Sequence, residues 1–129
     1  MVKIFALVYL SRVARAVRFD DALAIAERSA VENGKQGLTG MLLYTPSHFI
    51  QVLEGEEAMV RARFERICKD PRHSHVRILS ERFVSERRFS AWSMKATMVN
   101  SPQAAEEFES LTGEAAYDLL ASAAASLAK

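Results

Sequence analysis

Two short apolar runs with a turn between them dominate the hydrophobic pattern of the chain. Residues 38–44 and 49–53 are almost entirely apolar, and Thr45-Pro46-Ser47 separates them. β-Branched and aromatic residues on both sides of a proline-containing break predict a β-hairpin. Because neither run alternates regularly with polar residues, both strands are expected to be covered on both faces of their sheet.

Gln51 interrupts the second apolar run. A buried amide that lacks hydrogen-bond partners costs about 1–3 kcal/mol, so this side chain either faces solvent or bonds to something polar in the core. The pattern supports the two interpretations equally. An amide suits the buried role because it carries both donors and an acceptor and can be turned end for end.

The first predicted strand covers residues 2–10, and Ser11-Arg12 is expected to end it. Tyr9 lies near the end of this strand, and a buried tyrosine usually needs a partner for its hydroxyl group. The pattern favours a core aromatic whose hydroxyl reaches solvent. The alternative is a hydroxyl that points into the interior.

Helical and strand periods divide the rest of the chain. They predict two main helices, one over 19–33 and one of about 13 residues that Gly55 opens. Two more strands are predicted, one within 73–84 and one over 92–98, and two tail helices follow, over 103–111 and from Glu114 onward. The order β-α-β-β-α-β-β predicts an α+β, ferredoxin-like sandwich: a mixed sheet with two helices on one face and the C-terminal helical tail on the other. We expect a main domain over residues 1–98 and a two-helix extension over 99–129, whose apolar stripe packs on the sheet or on another subunit.

Composition and charge limit the classes of function. A chain of 129 residues suggests one main folded unit, and a formal net charge of +1 provides no overall field towards nucleic acid or anionic lipid. No apolar run approaches the roughly 20 residues of a membrane span, and no signal peptide is evident. The single cysteine, Cys68, fits a reducing compartment and is expected to be a buried, inert thiol. We therefore expect a cytoplasmic protein without a nucleic-acid or membrane partner.

The chemistry-bearing residues form no recognisable catalytic or metal-binding pattern. His48, His73 and His75 do not have the spacing of a metal-ligand set, and there is no glycine-rich phosphate loop. A small hydrolase on the same fold, of the acylphosphatase type, would need an Arg/Asn phosphate cradle that the sequence does not indicate. The chain is therefore not expected to be an enzyme, and Tyr9 and Gln51 remain the unusual polar residues.

Five short segments occur in order along residues 1–98. They are Val8-Tyr9-Leu10-Ser11, Asn33 followed by GLTGMLLY at 37–44, FIQVLEG at 49–55, DPRH at 70–73 and RRFSAWSM at 87–94. Each segment is a weak signal alone, but together and in register they resemble the BLUF family, which comprises blue-light receptor domains that bind a flavin. The family's ferredoxin-like fold agrees with the topology predicted from the hydrophobic periods.

The resemblance implies that the flavin ring lies between the two main helices. Tyr9 corresponds to the family's photoactive tyrosine, Gln51 to its switching glutamine and Asn33 to the asparagine at the polar edge of the ring. The other residues expected at the cofactor are Ile25, Ser29, Phe49 and Arg72, and those expected to relay the signal are Trp92 and Met94. Glu32 departs from the family, which usually has a neutral or imidazole side chain there. A carboxylate at this position either alters flavin affinity or dark recovery, or points to water.

The function implied by the resemblance is a blue-light photoreceptor with FAD as cofactor, FMN and riboflavin being alternatives. Light drives an electron and a proton from Tyr9, after which the hydrogen bonds of Gln51 are rearranged and a partner protein receives the signal. One exchanged hydrogen bond is worth about 0.5–1.5 kcal/mol, whereas moving a state from 1:99 to 99:1 needs about 5.5 kcal/mol. Repacking of Trp92, Met94 and the tail is therefore expected to amplify the switch.

Two further expectations concern association and alternatives. The apolar stripe of the tail favours a homo-oligomer. The alternative function is a flavin-binding or light-insensitive protein-interaction module on the same fold.

Overall fold

The computed structural model describes residues 3–13, 19–89, 95–99 and 103–127. Over these ranges the helices and strands follow the predicted order. They are β1 (Ile4–Val13), α1 (Phe19–Lys35), β2 (Thr39–Tyr44), β3 (His48–Gly55), α2 (Glu57–Cys68), β4 (His73–Val84), β5 (Lys95–Met98), α3 (Ala104–Ser110) and α4 (Gly113–Leu127).

The strands form one five-stranded sheet in the order β4-β1-β3-β2-β5. Neighbouring strands are antiparallel except for β2 and β5, which run parallel, so the sheet is mixed. The predicted hairpin is confirmed as β2 and β3, and all eight residues of β3 are buried. Because β1 and β3 lie in the interior of the sheet, their backbone groups have ladder partners on both sides.

The two faces of the sheet bury different side chains, since successive residues of a strand point to opposite sides. On one face Phe5, Leu7 and Tyr9 of β1 pack with residues of α2. On the other face Ala6, Val8 and Leu10 pack with α3 and α4 through Phe108, Tyr117 and Leu120. The predicted fold is confirmed, with the helical tail on the face opposite α2.

Packing of the tail on the sheet bears on self-association. The stripe residues Tyr117, Leu120 and Ala124 are buried within the chain's own core and are therefore not available to a second subunit, and the side chain of Leu127 lies outside those that the structure describes. The predicted homo-oligomer therefore no longer rests on this stripe and stays a prediction. The boundary between residues 98 and 99 likewise stays a prediction.

Three local predictions were wrong. β1 continues through Ser11 and Arg12 because it pairs there with β3, in which His48 lies opposite Arg12. Gly55 is the last residue of β3, and α2 begins two residues later. Cys68 is exposed, because it lies one position past Ile67 and therefore off the side of α2 that packs on the sheet.

Candidate functional site

A cavity lies on the α1/α2 side of the sheet. It encloses about 160 Å³ and is partly open to solvent. Its lining comes from the four strands β1 to β4, both main helices and the connection between α2 and β4. The lining residues are Tyr9, Arg28, Ser29, Glu32, Leu42, Phe49, Gln51, Arg63, Arg66, Ile67, Asp70, Arg72 and His73.

Tyr9 and Gln51 form the polar floor of this cavity. They lie directly opposite each other on the antiparallel strands β1 and β3, and both are buried, with 3% and 5% of their surface exposed. The phenolic O–H of Tyr9 donates a hydrogen bond to Oε1 of Gln51. The sequence left open whether the Gln51 amide faces solvent or is buried and hydrogen-bonded. The structure shows the second arrangement.

The hydroxyl of Tyr9 points inward, so the interpretation favoured by the pattern was wrong. The reason is tertiary: α2 covers this end of β1, and the ring of Phe64 lies 5.6 Å from that of Tyr9, centroid to centroid. Burial raises the pKa of the Tyr9 phenol well above its ordinary value, and the positive charge of Arg63 acts in the opposite direction. The phenol is therefore protonated in the folded chain and serves as a hydrogen-bond donor.

His73 fixes one wall of the cavity. Its Nε2–H donates to the carbonyl oxygen of Ile67 at 2.5 Å, so in the neutral ring Nδ1 accepts from the Ser11 hydroxyl at 2.9 Å. Its ring meets those of Tyr9 and Phe49 at steep angles, with centroids 6.2 and 6.1 Å apart. These contacts hold the aromatic wall in one position beside the phenol.

Arg72 and Asp70 form a fork-to-fork ion pair at the edge of the cavity. Nε and Nη2 of Arg72 donate to the two carboxylate oxygens of Asp70, with Nη2 at 2.6 Å. These bonds hold the pKa of Asp70 at about 2, below its ordinary value. Much of the donor capacity of Arg72 is therefore directed at this carboxylate.

The lining as a whole is positively charged. Four guanidinium groups, those of Arg28, Arg63, Arg66 and Arg72, face two carboxylates, Glu32 and Asp70. Among the residues that the structure describes, Arg28 and Arg66 take part in no ion pair. Such a lining favours a ligand that carries negative charge.

The structure brings five of the predicted site residues together in this lining: Tyr9, Ser29, Phe49, Gln51 and Arg72. Asn33 is fully buried near the end of α1 but is not part of the lining, and its backbone carbonyl oxygen accepts from the backbone N–H of Leu38 at 2.8 Å. Ile25 lies in α1, but its side chain is outside those that the structure describes. Trp92 and Met94 lie outside the described residues altogether.

Glu32 lines the cavity and also lies near the surface. Its carboxylate is 3.8 Å from the Lys35 ammonium group, with 40% of the side chain exposed. Both alternatives stated for this residue therefore remain: it borders the cavity, and part of its side chain meets solvent.

Arg63 is the most informative lining residue that the sequence interpretation missed. The apolar stripe of α2 consists of Val60, Phe64 and Ile67, and Arg63 occupies the i+3 position of that stripe. A charge in the middle of an apolar stripe is the helical equivalent of Gln51 in its strand, and it could have been found by the same reasoning. No group of three metal-ligating side chains occurs in the described part of the chain.

Comparison with known proteins identifies the family. The family model for BLUF, described as sensors of blue light using FAD, matches residues 4–95. This chain belongs to the BLUF family. BLUF domains are flavin-binding blue-light sensors, so the resemblance noted in the sequence is confirmed.

Related proteins include longer ones. The blue light- and temperature-regulated antirepressor BluF of Escherichia coli (strain K12) is 36% identical over 78 residues, which are 60% of this chain and 19% of that protein. The photoactivated adenylate cyclase subunit beta of Euglena gracilis is 34% identical over 89 residues, which are 68% of this chain and 10% of that protein. The chain thus spans a fifth or less of the length of these two relatives.

One solved structure matches from end to end. The dark-state structure of BlrB, described as a BLUF protein, superposes with a TM-score of 0.84 at 35% identity and covers 98% of both chains. By contrast, a bacterial light-regulated adenylyl cyclase superposes with a TM-score of 0.73 at 28% identity, and only 32% of that chain is covered. No helix among the described residues is long and apolar enough to cross a membrane.

Proposed function

We propose that this chain is a blue-light receptor whose switch is the hydrogen-bonded pair Tyr9–Gln51, with FAD held in the cavity above it. The observation that carries the proposal is the convergence of a buried phenol and a buried amide on one positively lined cavity. These two groups are the ones that the BLUF resemblance assigns to the photochemical switch.

The residues present fit a flavin. The cavity offers both a polar floor, from Tyr9 and Gln51, and apolar walls from Leu42, Phe49 and Ile67. It also contains a donor that the described part of the chain leaves unused, the buried Nε–H of Arg63. Among flavins we propose FAD, because a lining with four guanidinium groups suits the negative charge of its two phosphates.

The proposed roles of the chain's residues follow from the hydrogen bond between Tyr9 and Gln51. The bound flavin supplies light absorption and an electron acceptor. With a flavin bound, Tyr9 would supply an electron and its phenolic proton to it and would later recover both, so the net change would be confined to hydrogen bonds. If the Gln51 amide ends the cycle turned over, its NH₂ group faces the phenol, and Tyr9 must then accept where it previously donated.

The other residues that the BLUF resemblance places at the site are proposed as supports of this pair. Ser29, Phe49 and Arg72 would border the cofactor, as would Ile25 and Asn33. Trp92 and Met94 would carry the change towards the tail helices and then to a separate partner protein. A cytoplasmic location is proposed along with this role.

Absorption spectra test the proposal. The purified chain, supplied with FAD, is measured in the dark and after a blue pulse for the wild type, Tyr9→Phe, Gln51→Leu and Tyr117→Phe. The wild type is expected to show flavin bands with a reversible red shift, and the Tyr9 and Gln51 variants are expected to bind flavin without forming that shifted state.

Tyr117→Phe is the matched control. Tyr117 is a fully buried tyrosine on the other face of the sheet, and its hydroxyl has no hydrogen-bond partner among the described residues. This variant should respond to light like the wild type. A colourless protein that does not take up FAD would refute the proposal, and a normal red shift in Tyr9→Phe would remove Tyr9 from the switch. Flavin absorption bands that do not change after the blue pulse would favour the light-insensitive module instead.

A further inference from the structure

Arg63 combines partial burial with a location beside the proposed photoactive residue. It lies on the sheet-facing side of α2, between Val60 and Phe64, and its guanidinium group reaches the cavity that Tyr9 also lines. Burial lowers the pKa of Arg63, and the negative charges nearest to it act in the opposite direction. A cation in such a place is unfavourable unless something compensates it.

The chain itself compensates Arg63 only in part. Its Nη2 donates to the Ser29 hydroxyl at 3.0 Å, a neutral partner that links α2 to α1. Its Nε–H is buried and has no hydrogen-bond partner among the residues that the structure describes. Within the same described part of the chain Arg63 forms no ion pair, since Asp70 is held by Arg72 and Glu32 lies nearest to Lys35.

We propose that Arg63 is a specificity-determining residue of this cavity, whose guanidinium group binds an oxygen acceptor of the cofactor. The inference rests on the proposed function, because it takes the cavity to be a flavin site. The missing partner must accept a hydrogen bond and preferably carry negative charge, since both the unused Nε–H and the uncompensated positive charge require it. Two parts of a flavin have this chemistry: a carbonyl oxygen of the ring and a phosphate of the side chain.

Arg63 also explains how such an acceptor would be held in place. The hydrogen bond from Nη2 to Ser29 fixes the orientation of the planar guanidinium group before a ligand arrives. Pre-orientation of this kind reduces the ordering cost of binding. Ser29, which was predicted as a cofactor contact, would then act through Arg63.

Equilibrium binding of three flavins tests this role. Riboflavin, FMN and FAD are titrated into the flavin-free chain, and the Kd is read from the quenching of flavin fluorescence for the wild type, Arg63→Met, Arg63→Lys and Arg61→Met. Loss of one charge-assisted hydrogen bond is expected to weaken binding about tenfold or more in Arg63→Met. Arg63→Lys keeps the charge but lacks the fork, so we expect a smaller weakening of about threefold or more.

Arg61→Met is the matched control. Arg61 lies on the same helix and bears the same charge, but it pairs with Glu57 and Glu81, both at 2.9 Å, and is not part of the cavity lining. Its Kd values should stay within about twofold of the wild type. This comparison separates the position of Arg63 from the general loss of one positive charge.

The three ligands identify the acceptor. Weakening of FMN and FAD but not of riboflavin supports binding of a phosphate by Arg63, and equal weakening of all three supports binding of a ring carbonyl. Unchanged Kd values for Arg63→Met with every ligand overturn the inference while leaving the receptor function intact. If Arg63→Met does not fold, as judged by circular dichroism, the Kd values of Arg63→Lys decide in the same way. A wild type that binds none of the three overturns both proposals.

Discussion

Glu54→Gln is expected to destabilise the protein by about 2 kcal/mol, although Glu54 does not line the cavity. Glu54 is fully buried in β3, and its carboxylate accepts three hydrogen bonds. The Thr39 hydroxyl and the backbone N–H of Phe89 donate to Oε1, both at 2.7 Å, and the backbone N–H of Arg88 donates to Oε2 at 3.0 Å. This carboxylate therefore ties the connection that follows β4 to the centre of the sheet.

The magnitude follows from what the amide can and cannot replace. In its better orientation glutamine keeps an oxygen for Thr39 and Phe89, but its NH₂ group then faces the N–H of Arg88, donor against donor. The lost hydrogen bond to a charged group is worth about 1.5–3 kcal/mol, and part of this is offset because a neutral amide is easier to bury than a carboxylate. A net loss of about 2 kcal/mol is large against the 5–15 kcal/mol that typically stabilises a domain.

Urea denaturation followed by circular dichroism measures this change, and hydrogen exchange locates it. The amides of Arg88 and Phe89 should lose protection in Glu54→Gln more than amides elsewhere in the sheet. Glu56→Gln is the control, because Glu56 is exposed and its side chain makes no cap hydrogen bond, so a change of less than about 0.5 kcal/mol is expected. An unfolding free energy of Glu54→Gln within about 0.5 kcal/mol of the wild type would refute the reasoning.

Two further predictions concern packing and acid stability. In Gly113→Ala the new Cβ would lie 1.9 Å from the Leu79 carbonyl oxygen, so a loss of about 2 kcal/mol or more is expected in urea denaturation. Gly37→Ala is the control: φ is +69°, but nothing lies within 4 Å of the new Cβ, so a loss of about 1 kcal/mol in unfolding free energy is expected. Equal losses of unfolding free energy in the two variants would contradict the steric argument. The pKa of Asp70 is lowered to about 2 in the folded chain, so the stability it contributes is present above the unfolded value of about 3.9 and is lost as the pH falls towards 2. Asp70→Asn should therefore flatten the fall in unfolding free energy between about pH 4 and 2, and an unchanged slope would show that this carboxylate is not responsible.

Much of the fold was readable from local patterns. The apolar runs around Thr45-Pro46-Ser47 predicted the hairpin, and the strand and helix periods predicted the order of all nine described elements. Element ends were less predictable, because β1 continues past Leu10 for as long as its neighbours β3 and β4 offer ladder partners. Such pairing depends on residues far away in the sequence.

The candidate site was predictable to a different degree for each residue. Tyr9 and Gln51 stood out because polar groups in apolar runs are unusual, but a single strand does not reveal which of its faces a helix will cover. Arg63 carried the same kind of signal in α2. The proposed role of Arg63, however, could be inferred only from its contact with Ser29 in another helix and from the cavity that both residues line, and both features depend on how the helices pack.

The sequence by itself determined the element order, the buried character of the central hairpin and the five segments that mark the BLUF family. Only the tertiary structure decided that the Tyr9 hydroxyl turns inward to Gln51, that the tail stripe is used on the chain's own sheet, and that Arg63 keeps an unused donor beside the phenol. The physical reason is that the hydrophobic period of a segment indicates its secondary structure and its apolar side. Hydrogen-bond partners and cavities, in contrast, form where segments distant in the chain come together.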